Sequence, residues 1–407
     1  MGFAHPIVFL ILYLPFGIVS GYIGVTVAYL LSRAGSSITE IAALIALSTL
    51  PQTWKLLWAP LVDTTLTAKR WYLLSTVITG LIVLGMAFIP AQQSAIRLLD
   101  ALTLIVNIAC SVSAMSCESL MAGDTAPEQM GRAGGYSQAG NLGGAGLGGG
   151  AGLWMAQHVA PWSAGAVLGV ACLICCVALW FLGEPARVRS TVRYATRLLG
   201  VAKDVWSIGR SRLGLLTVLL FLLPMGTAAA SNLWPAIATD WRADGDTVAL
   251  VNGVLAGLIS MGGCLVGGFL CDYIGRRSGY SYFGILLALC AAGMALAPRT
   301  PAMFVVFTSA YSFVTGLAYA AFSSATLEAI GKESAATQYN VMACVANVPI
   351  VAMTVFDGWA QTRWGSGGML YAEGLVGVVA VAAYAAVALA TRKPLAAIQP
   401  PQEFKFP

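Results

Sequence analysis

Long apolar stretches separated by short polar loops alternate along the whole chain. Most of these stretches reach about 20 residues, the length that an α-helix needs to cross the hydrocarbon core of a bilayer. Twelve such segments are present, at residues 6–32, 38–62, 71–91, 98–121, 132–157, 161–183, 212–238, 247–271, 279–297, 301–325, 336–360 and 367–391. The pattern therefore predicts an all-α membrane protein with twelve transmembrane helices.

The longest hydrophilic stretch divides these segments into two sets of six. We expect a first six-helix lobe at residues 1–183, a basic cytoplasmic linker at 184–211, a second six-helix lobe at 212–391 and a cytoplasmic tail at 392–407. Residues 194–208 of the linker mix apolar and basic side chains in a way typical of an amphipathic helix at the membrane surface. A simply solvated linker is the alternative.

The charge distribution sets the class of protein and its orientation. Charged residues make up 10% of the chain, whereas a typical soluble domain has about 25%. The loops on the side of residues 63 and 272, together with the C-terminal tail, hold sixteen Lys and Arg residues, and the opposite loops hold five. Because cytoplasmic loops are enriched in these residues, both termini are predicted to be cytoplasmic in an inner-membrane protein that contacts lipids. The basic residues are needed at the membrane edge, so no nucleic-acid partner is expected.

Two loops repeat an acidic residue followed by two cations, and the two acids lie 209 residues apart, about half of the chain. Such a repeat indicates an internal duplication. A carboxylate at a helix end can accept hydrogen bonds from the N-terminus of a neighbouring helix, so the loops are interpreted as a conformational latch, with plain anchoring of the loops as the alternative. The latch residues are Asp63, Lys69, Arg70, Gly268, Asp272, Gly275, Arg276 and Arg277.

The second loop matches the pattern G-x-x-x-D-x-x-G-R-[KR] from Gly268 to Arg277. With two sets of six helices and a basic central linker, this pattern resembles the major facilitator superfamily. The resemblance implies two pseudo-symmetric lobes, a central cavity between them and transport by alternating access. The first loop departs from the pattern, because Ala59 and Leu66 replace the two glycines.

The lead-in to the first loop, Leu50 to Asp63, reads L-P-Q-T-W-K-L-L-W-A-P-L-V-D. It is similar to a stretch found in one branch of the superfamily, which includes AmpG-type muropeptide permeases, acetyl-CoA transporters and RhtX/FptX-type siderophore importers. The branch implies proton-coupled import of a small polar or amphipathic solute, such as a muropeptide, a siderophore or a sugar. A proton-coupled exporter and a non-transporting sensor or assembly protein remain as alternatives.

Lys55 lies two helical turns from Asp63, about 12 Å inside the predicted membrane segment. An ammonium group at that depth is costly, so it should face a cavity or a partner. Glu118, in the fourth segment, is the candidate partner. The pair could couple transport to protons, or it could be a structural ion pair that fixes two helices. By contrast, Asp357 and Glu373 lie near the predicted outer ends, where we expect interfacial solvation.

Polar residues inside the apolar segments are candidates for contacts with the substrate, although such residues also bond helices to each other. By resemblance, the central cavity is lined by the first, second, fourth and fifth helices of one lobe and by their counterparts in the other. The candidates are Tyr22, Asn107, Gln138, Asn141, Asn232, Tyr311, Tyr319, Asn340 and Asn347.

The fifth segment is rich in glycine, and Gly140, Gly144, Gly148 and Gly152 repeat at four-residue spacing. This spacing places all four on one face of a helix, where the missing side chains let another helix approach closely. We interpret this stripe as helix packing that allows one lobe to slide on the other.

The sequence gives little support for enzymatic chemistry. The two histidines, His5 and His158, are far apart, and the nine cysteines lie in or at the ends of apolar segments, where they are typical packing residues. We therefore expect no catalytic site, no metal and no cofactor. The expected partners are a small-molecule substrate and protons, and the expected form is a monomer.

Overall fold

The computed structural model describes residues 4–90, 92–183, 194–332 and 334–391. Within these ranges the regular elements are all helical, and consecutive helices group into twelve long segments and one shorter helix. The long segments are α1 (Ile7–Arg33), α2 (38–64), α3 (Ala68–Ala87), α4 (Ile96–Asp124), α5 (130–158), α6 (Pro161–Phe181), α7 (212–241), α8 (Gly245–Ile274), α9 (Arg276–Leu296), α10 (Pro301–Ala329), α11 (335–364) and α12 (366–390).

Eight of the described helices are long and apolar enough by themselves to cross a membrane, and one of these runs through both α11 and α12. Gly365 separates α11 from α12 with a positive φ of 70°. The segments outside this set are α2 and α7, which are interrupted, and α5, whose glycines make it weakly apolar. The all-α membrane fold is thus confirmed, and the helices fit the expected count of twelve.

The interruption in α2 follows from its prolines. Pro51 lies inside the helix and Pro60 lies just after the interruption, and neither has the N–H that a helical hydrogen bond requires. The chain passes through a short 3₁₀ turn at Lys55–Leu57 before the helix resumes at Ala59. Lys55 therefore lies at a break in the helix rather than in the middle of a regular helix.

α7 is also broken, between Leu222 and Ala229. This stretch contains Pro224, and both Gly226 and Ala228 have a positive φ, at 67° and 54°. The left-handed backbone is easy for glycine and unfavourable for alanine. The second part of α7, which begins with the 3₁₀ turn Ala229–Leu233, is therefore separated from the first part of the helix.

The glycine stripe of α5 packs on α1. A Cβ added at Gly140, Gly144 or Gly148 would lie 2.3, 2.8 or 2.1 Å from a backbone oxygen of α1, and one added at Gly152 would lie 2.6 Å from Thr26 Oγ1. Since α1 and α5 belong to the same lobe, the interpretation of this stripe as a sliding surface between the lobes is wrong. The stripe instead joins two helices of one lobe, backbone against backbone.

The lobes meet on other glycines of α5. Gly135 faces Gly268 of α8, where an added Cβ would lie 2.6 Å from the Gly268 Cα, and Gly146 lies next to Gly257 of the same helix. On the α10 side, an added Cβ at Gly134 would lie 2.6 Å from the Ser324 backbone nitrogen. α5 thus uses one glycine face within its lobe and a second one between the lobes.

The shorter helix spans Tyr194–Ile208, where the sequence predicts an amphipathic helix. Its Asp204 accepts a 2.6 Å hydrogen bond from the Ser334 hydroxyl, directly before α11. The helix therefore touches the second lobe at the start of α11. Residues 184–193 of the predicted linker and the predicted tail at 392–407 lie outside the described residues.

The contact between α1 and α5 predicts a difference between two neighbouring glycines. A Cβ added at Gly21 would lie 2.0 Å from the Ala145 carbonyl oxygen, whereas one added at Gly24 would meet nothing within 4 Å. Gly21→Ala should therefore force the helices apart and cost about 1–3 kcal/mol. We expect its melting temperature to fall by several degrees, with Gly24→Ala close to wild type. Equal melting temperatures for the two variants would contradict this packing.

Candidate functional site

A cavity of about 270 Å³ lies where the two lobes meet. Its walls come from α1, α2, α4 and α5 on one side and from α7, α9, α10 and α11 on the other. The polar and charged side chains that line it are Tyr13, Gln52, Lys55, Glu118, Gln138, Asn141, Tyr280, Tyr319, Tyr339 and Asn347. Lys55 and Glu118 are the charged residues among the described lining residues.

Glu118 is buried, with 1% of its surface exposed, and it is hydrogen-bonded to both lobes. The Tyr13 hydroxyl of α1 donates to Glu118 Oε1 at 2.7 Å. The Asn340 amide of α11 donates to Glu118 Oε2 at 2.6 Å and also to the carbonyl oxygen of Ala336. One carboxyl group on α4 therefore connects α1 of its own lobe with α11 of the other lobe.

Lys55 borders the same cavity, at the break in α2. Within the described chain, the Lys55 nitrogen and the Glu118 carboxyl oxygens do not come within the 4.0 Å of an ion pair. The predicted ion pair is therefore not formed in this state. The carboxyl group is already bound by Tyr13 and Asn340, and Lys55 is one of the residues that line the cavity.

Four of the nine predicted substrate contacts line the cavity, namely Gln138, Asn141, Tyr319 and Asn347. A fifth, Asn340, binds Glu118 instead. The other four do not border this cavity: Tyr22 borders a separate cavity near Trp162, Asn107 donates to the Thr103 carbonyl oxygen, Asn232 to Thr354, and Tyr311 to Glu373. These four side chains instead satisfy neighbouring groups of the helix bundle or border another cavity, which a pattern of polar residues does not reveal.

The second latch loop brings Asp272, at the end of α8, to the start of α5 in the other lobe. Asp272 Oδ1 accepts from the Gly131 backbone N–H at 2.7 Å, and Oδ2 accepts from the Arg132 backbone N–H at 3.3 Å. The Arg132 guanidinium adds a 2.9 Å ion pair. An anion at a helix N-terminus is stabilised by the free N–H groups and by the helix dipole.

The first latch loop makes the equivalent contact in the other direction. Asp63, near the end of α2, accepts from the backbone N–H groups of Ala336 at 3.2 Å and Thr337 at 2.8 Å, and from the Thr337 hydroxyl at 2.6 Å. These donors are in the first turn of α11. We call the end of the bundle that contains Asp63 and Asp272 the clasp end, and there each lobe holds a helix N-terminus of the other.

The cations of the two loops have different partners. Lys69 donates to the carbonyl oxygen of Leu182, within its own lobe. Arg276 pairs with Glu328 at 3.0 Å and also donates to the Pro127 carbonyl oxygen in the other lobe. Arg277 lies 3.7 Å from Glu328. The cations of the second loop therefore bridge the lobes through Arg276, whereas Lys69 of the first loop, where the sequence departs from the pattern, does not.

Two acidic residues, one in α11 and one in α12, are more deeply buried than the sequence predicts. Asp357 is fully buried and Glu373 has 8% of its surface exposed, so the expected interfacial solvation is wrong for both. The Tyr311 hydroxyl donates to Glu373 at 2.6 Å. Each of the two acids is eight residues from Gly365. This equal spacing is the sequence signal that could have indicated a common depth for them.

The contacts of Asp272 with Gly131 and Arg132 predict that Asp272→Asn lets the two lobes separate at the clasp end. Hydrogen bonds to a charged group contribute about 1.5–3 kcal/mol, so the change should shift the equilibrium toward separated lobes by roughly tenfold or more. Electron spin resonance distances between labels at the exposed positions Glu128 and Lys332, in a cysteine-free background, should lengthen.

Asp124→Asn is the matched control. Asp124 also accepts from a backbone N–H, that of Gly183 at 3.0 Å, but both groups are in the first lobe. Its label distances should remain those of the wild type. Equal distributions in all three proteins would show that Asp272 does not hold the lobes together.

The Major Facilitator Superfamily profile matches residues 9–354. The anhydromuropeptide permease of Escherichia coli strain K12 is 27% identical over 321 residues, which cover 75% of this chain and 64% of the permease, and the permease of strain O157:H7 gives the same values. The matched part of the chain thus spans less than two thirds of the length of these curated relatives.

Two solved structures share the fold. The human organic anion transporter MFSD10 (TETRAN) superposes with a TM-score of 0.71 at 14% identity, over 93% of this chain and 98% of that one. The proton:xylose symporter XylE, bound to 6-bromo-6-deoxy-D-glucose, gives 0.65 at 13% identity, over 93% and 94%. At such low identity these likenesses concern the fold alone. The profile match covers most of the chain, which belongs to the major facilitator superfamily.

Proposed function

We propose that this transporter is a proton-coupled importer of the inner membrane, which carries a small polar or amphipathic solute of the muropeptide type by alternating access. The observation that carries the proposal is Glu118, a buried carboxyl group at the edge of the central cavity that is hydrogen-bonded to both lobes. A proton that reaches this group through the cavity changes the contact between the lobes. Both termini would face the cytoplasm, and the working unit would be a monomer.

The coupling step follows from the hydrogen bonds of Glu118. An ionised carboxylate accepts from Asn340 in a charge-assisted bond, which is stronger than a neutral one. Protonation removes the charge and turns one oxygen into a donor, so the bond to the Asn340 amide nitrogen weakens. The Asn340 Oδ1 atom has no partner in the described chain and is buried. It is available as an acceptor if the amide rotates.

The position of this bond supports import as the proposed direction of transport. Asn340 is in the second turn of α11, and Asp63 holds the first turn of the same helix. Protonation of Glu118 therefore weakens one of two contacts that keep α11 at the clasp end, which the charge distribution predicts to be cytoplasmic. A proton loaded from outside would thus favour opening toward the cytoplasm, as proton symport into the cell requires.

The cavity lining suits a solute with many hydrogen-bonding groups and few charges. Gln138 and Asn141 lie side by side, with a 3.1 Å hydrogen bond between them, and face Tyr319 and Asn347 of the other lobe across the cavity. Amide and phenol groups can bind the hydroxyl and amide groups of a sugar or a peptide. Lys55 supplies one ammonium group for a single carboxylate of the substrate.

The similarity to anhydromuropeptide permeases favours a muropeptide among such solutes. The cavity of about 270 Å³ is slightly smaller than the usual range for ligand pockets, which is roughly 300–1,000 Å³. In this state the cavity therefore holds a sugar-sized part of such a molecule. Binding of the whole solute would require the lobes to move apart around it.

Glu118→Gln tests the coupling in proteoliposomes with a labelled anhydromuropeptide. A pH gradient can drive about tenfold accumulation per pH unit when one proton accompanies each substrate. The variant carries a neutral amide in place of the carboxyl group, so accumulation should fall to equilibration, whereas exchange of external for internal substrate should continue. Glu128→Gln, a change in an exposed loop, should accumulate substrate like the wild type. Proton-driven accumulation by Glu118→Gln would contradict the role of this residue.

Lys55→Met tests the contact between the ammonium group and a carboxylate of the substrate. A hydrogen bond to a charged group contributes about 1.5–3 kcal/mol, so KM for the muropeptide should rise roughly ten- to a hundredfold. An analogue whose carboxylate is converted to an amide should have the same KM in wild type and variant. Lys203→Met, on an exposed surface, is the control. A similar loss for both substrates would exclude a specific contact.

A further inference from the structure

Asp357 and Glu373 lie on two helices joined by a tight turn. Asp357 is eight residues before Gly365, and Glu373 is eight residues after it. Because α11 and α12 run in opposite directions from this turn, both residues lie at the same depth, about 12 Å from the turn. Both helices also reach the same 3₁₀ turn of α7, because Thr354, three residues before Asp357, accepts from Asn232 at 3.0 Å and Glu373 accepts from the Ala230 backbone N–H at 3.3 Å.

The site lies inside the second lobe and is incompletely hydrogen-bonded. Glu373 Oε1 accepts from the Tyr311 hydroxyl at 2.6 Å and from the Ala230 backbone N–H at 3.3 Å. Glu373 Oε2 and both carboxyl oxygens of Asp357 are buried without a hydrogen-bond partner among the described residues. No cation of the described chain pairs with either acid.

A second observation comes from α7. Trp234 has only 2% of its surface exposed, and its ring packs edge to face on Tyr311, with 5.2 Å between the ring centroids. Its indole N–H is also buried without a hydrogen-bond partner among the described residues. The indole N–H beside Tyr311 and three carboxyl oxygens of the two acids are therefore buried polar atoms that no described residue satisfies.

We propose that Asp357 and Glu373 form a second proton-binding site, separate from Glu118. Two carboxylates in a buried site without a cation repel each other and lose their hydration, so a proton on one of them relieves both costs. A proton suits this site better than a metal ion, because three free oxygens are fewer than a hard cation of the Ca²⁺ type binds. The described residues also contain no group of three or more potential metal-binding side chains.

The charged and titratable groups around the pair are few. α10 contributes Tyr311, which bonds Glu373, and α7 contributes the backbone N–H of Ala230. Arg299, a cation beside the Gly365 turn, stacks on the Trp241 ring at 3.7 Å and donates to Ser366. The proton therefore takes the place of a neutralising side chain.

The site is connected to the part of α7 that follows the break in this helix. Ala230 belongs to the 3₁₀ turn that follows the break in this helix. If the segment of α7 after the break moves, the Ala230 N–H moves relative to Glu373. Conversely, a proton on the pair changes the strength of the hydrogen bond between Ala230 and Glu373 that holds this segment. The proton load of the second lobe and the position of α7 are thus linked, whichever solute the cavity carries.

Infrared spectroscopy of the lipid-reconstituted protein tests the site without substrate. The carbonyl stretch of a protonated carboxylic acid should persist in the wild type at a neutral pH at which exposed carboxyl groups are ionised. The part of this band that persists in Glu118→Gln should be absent from the double variant Asp357→Asn/Glu373→Gln. Any part of the band that is absent from Glu118→Gln should persist in the double variant.

Two outcomes would overturn the proposal. One is a band in the double variant identical to that of the wild type, and the other is a band that changes when Na⁺ replaces K⁺ in the buffer, which would indicate a metal ion. Asp357→Asn alone keeps the experiment decisive if the double variant does not fold. Because Asp357 loses no hydrogen bond in this change, its melting temperature should equal or exceed that of the wild type. Loss of transport by Glu118→Gln and loss of this band are separate readouts, so either can fail alone.

Discussion

The structure depends on placing a carboxylate at the N-terminus of a helix in the opposite lobe. Asp63 binds the first turn of α11, and Asp272 binds the first turn of α5. These helix ends would otherwise have unsatisfied N–H groups, and the carboxylates would be poorly solvated near the membrane. Each partner therefore removes a cost for the other only when the lobes are together. This reciprocity ties the strength of the contact to the approach of the two lobes, as the proposed alternating access requires.

The same constraint shapes the interior. Polar groups inside a membrane protein must find partners within the protein, because lipid supplies none. Tyr13, Glu118 and Asn340 satisfy one another across the lobes, and Tyr311, Glu373 and Ala230 do so within the second lobe. In both cases a tyrosine hydroxyl donates to a carboxyl oxygen while the second oxygen is held differently: by Asn340 at Glu118, and by no described residue at Glu373. That difference distinguishes a group that joins the lobes from one that is held within a single lobe.

Much of this could be predicted from the sequence, because hydrophobic length and the acid-plus-cation loops are local signals. They indicated the all-α membrane fold, the family and the neighbourhood of Lys55 and Glu118. The direction in which a side chain faces was harder to infer. Tyr22 and Asn232 lie inside apolar segments as Gln138 does, yet only Gln138 borders the central cavity, because rotation about the helix axis depends on tertiary packing. Asp357 and Glu373 were judged by their distance from predicted helix ends, and the sharp turn at Gly365 left them buried.

The contact between α1 and α5 has a mechanical consequence. Gly17 and Gly21 of α1 lie against the backbone of α5, so no flexible side chain separates the two helices. When backbones are in direct contact, a displacement of one helix moves the other, because no side chain between them can rotate to absorb it. α5 also carries Gly131, which Asp272 holds, and α1 carries Tyr13, which holds Glu118. We therefore expect α1 and α5 to move as one rigid unit. This unit carries the contact with Asp272 at the clasp end and the contact with Glu118 at the cavity.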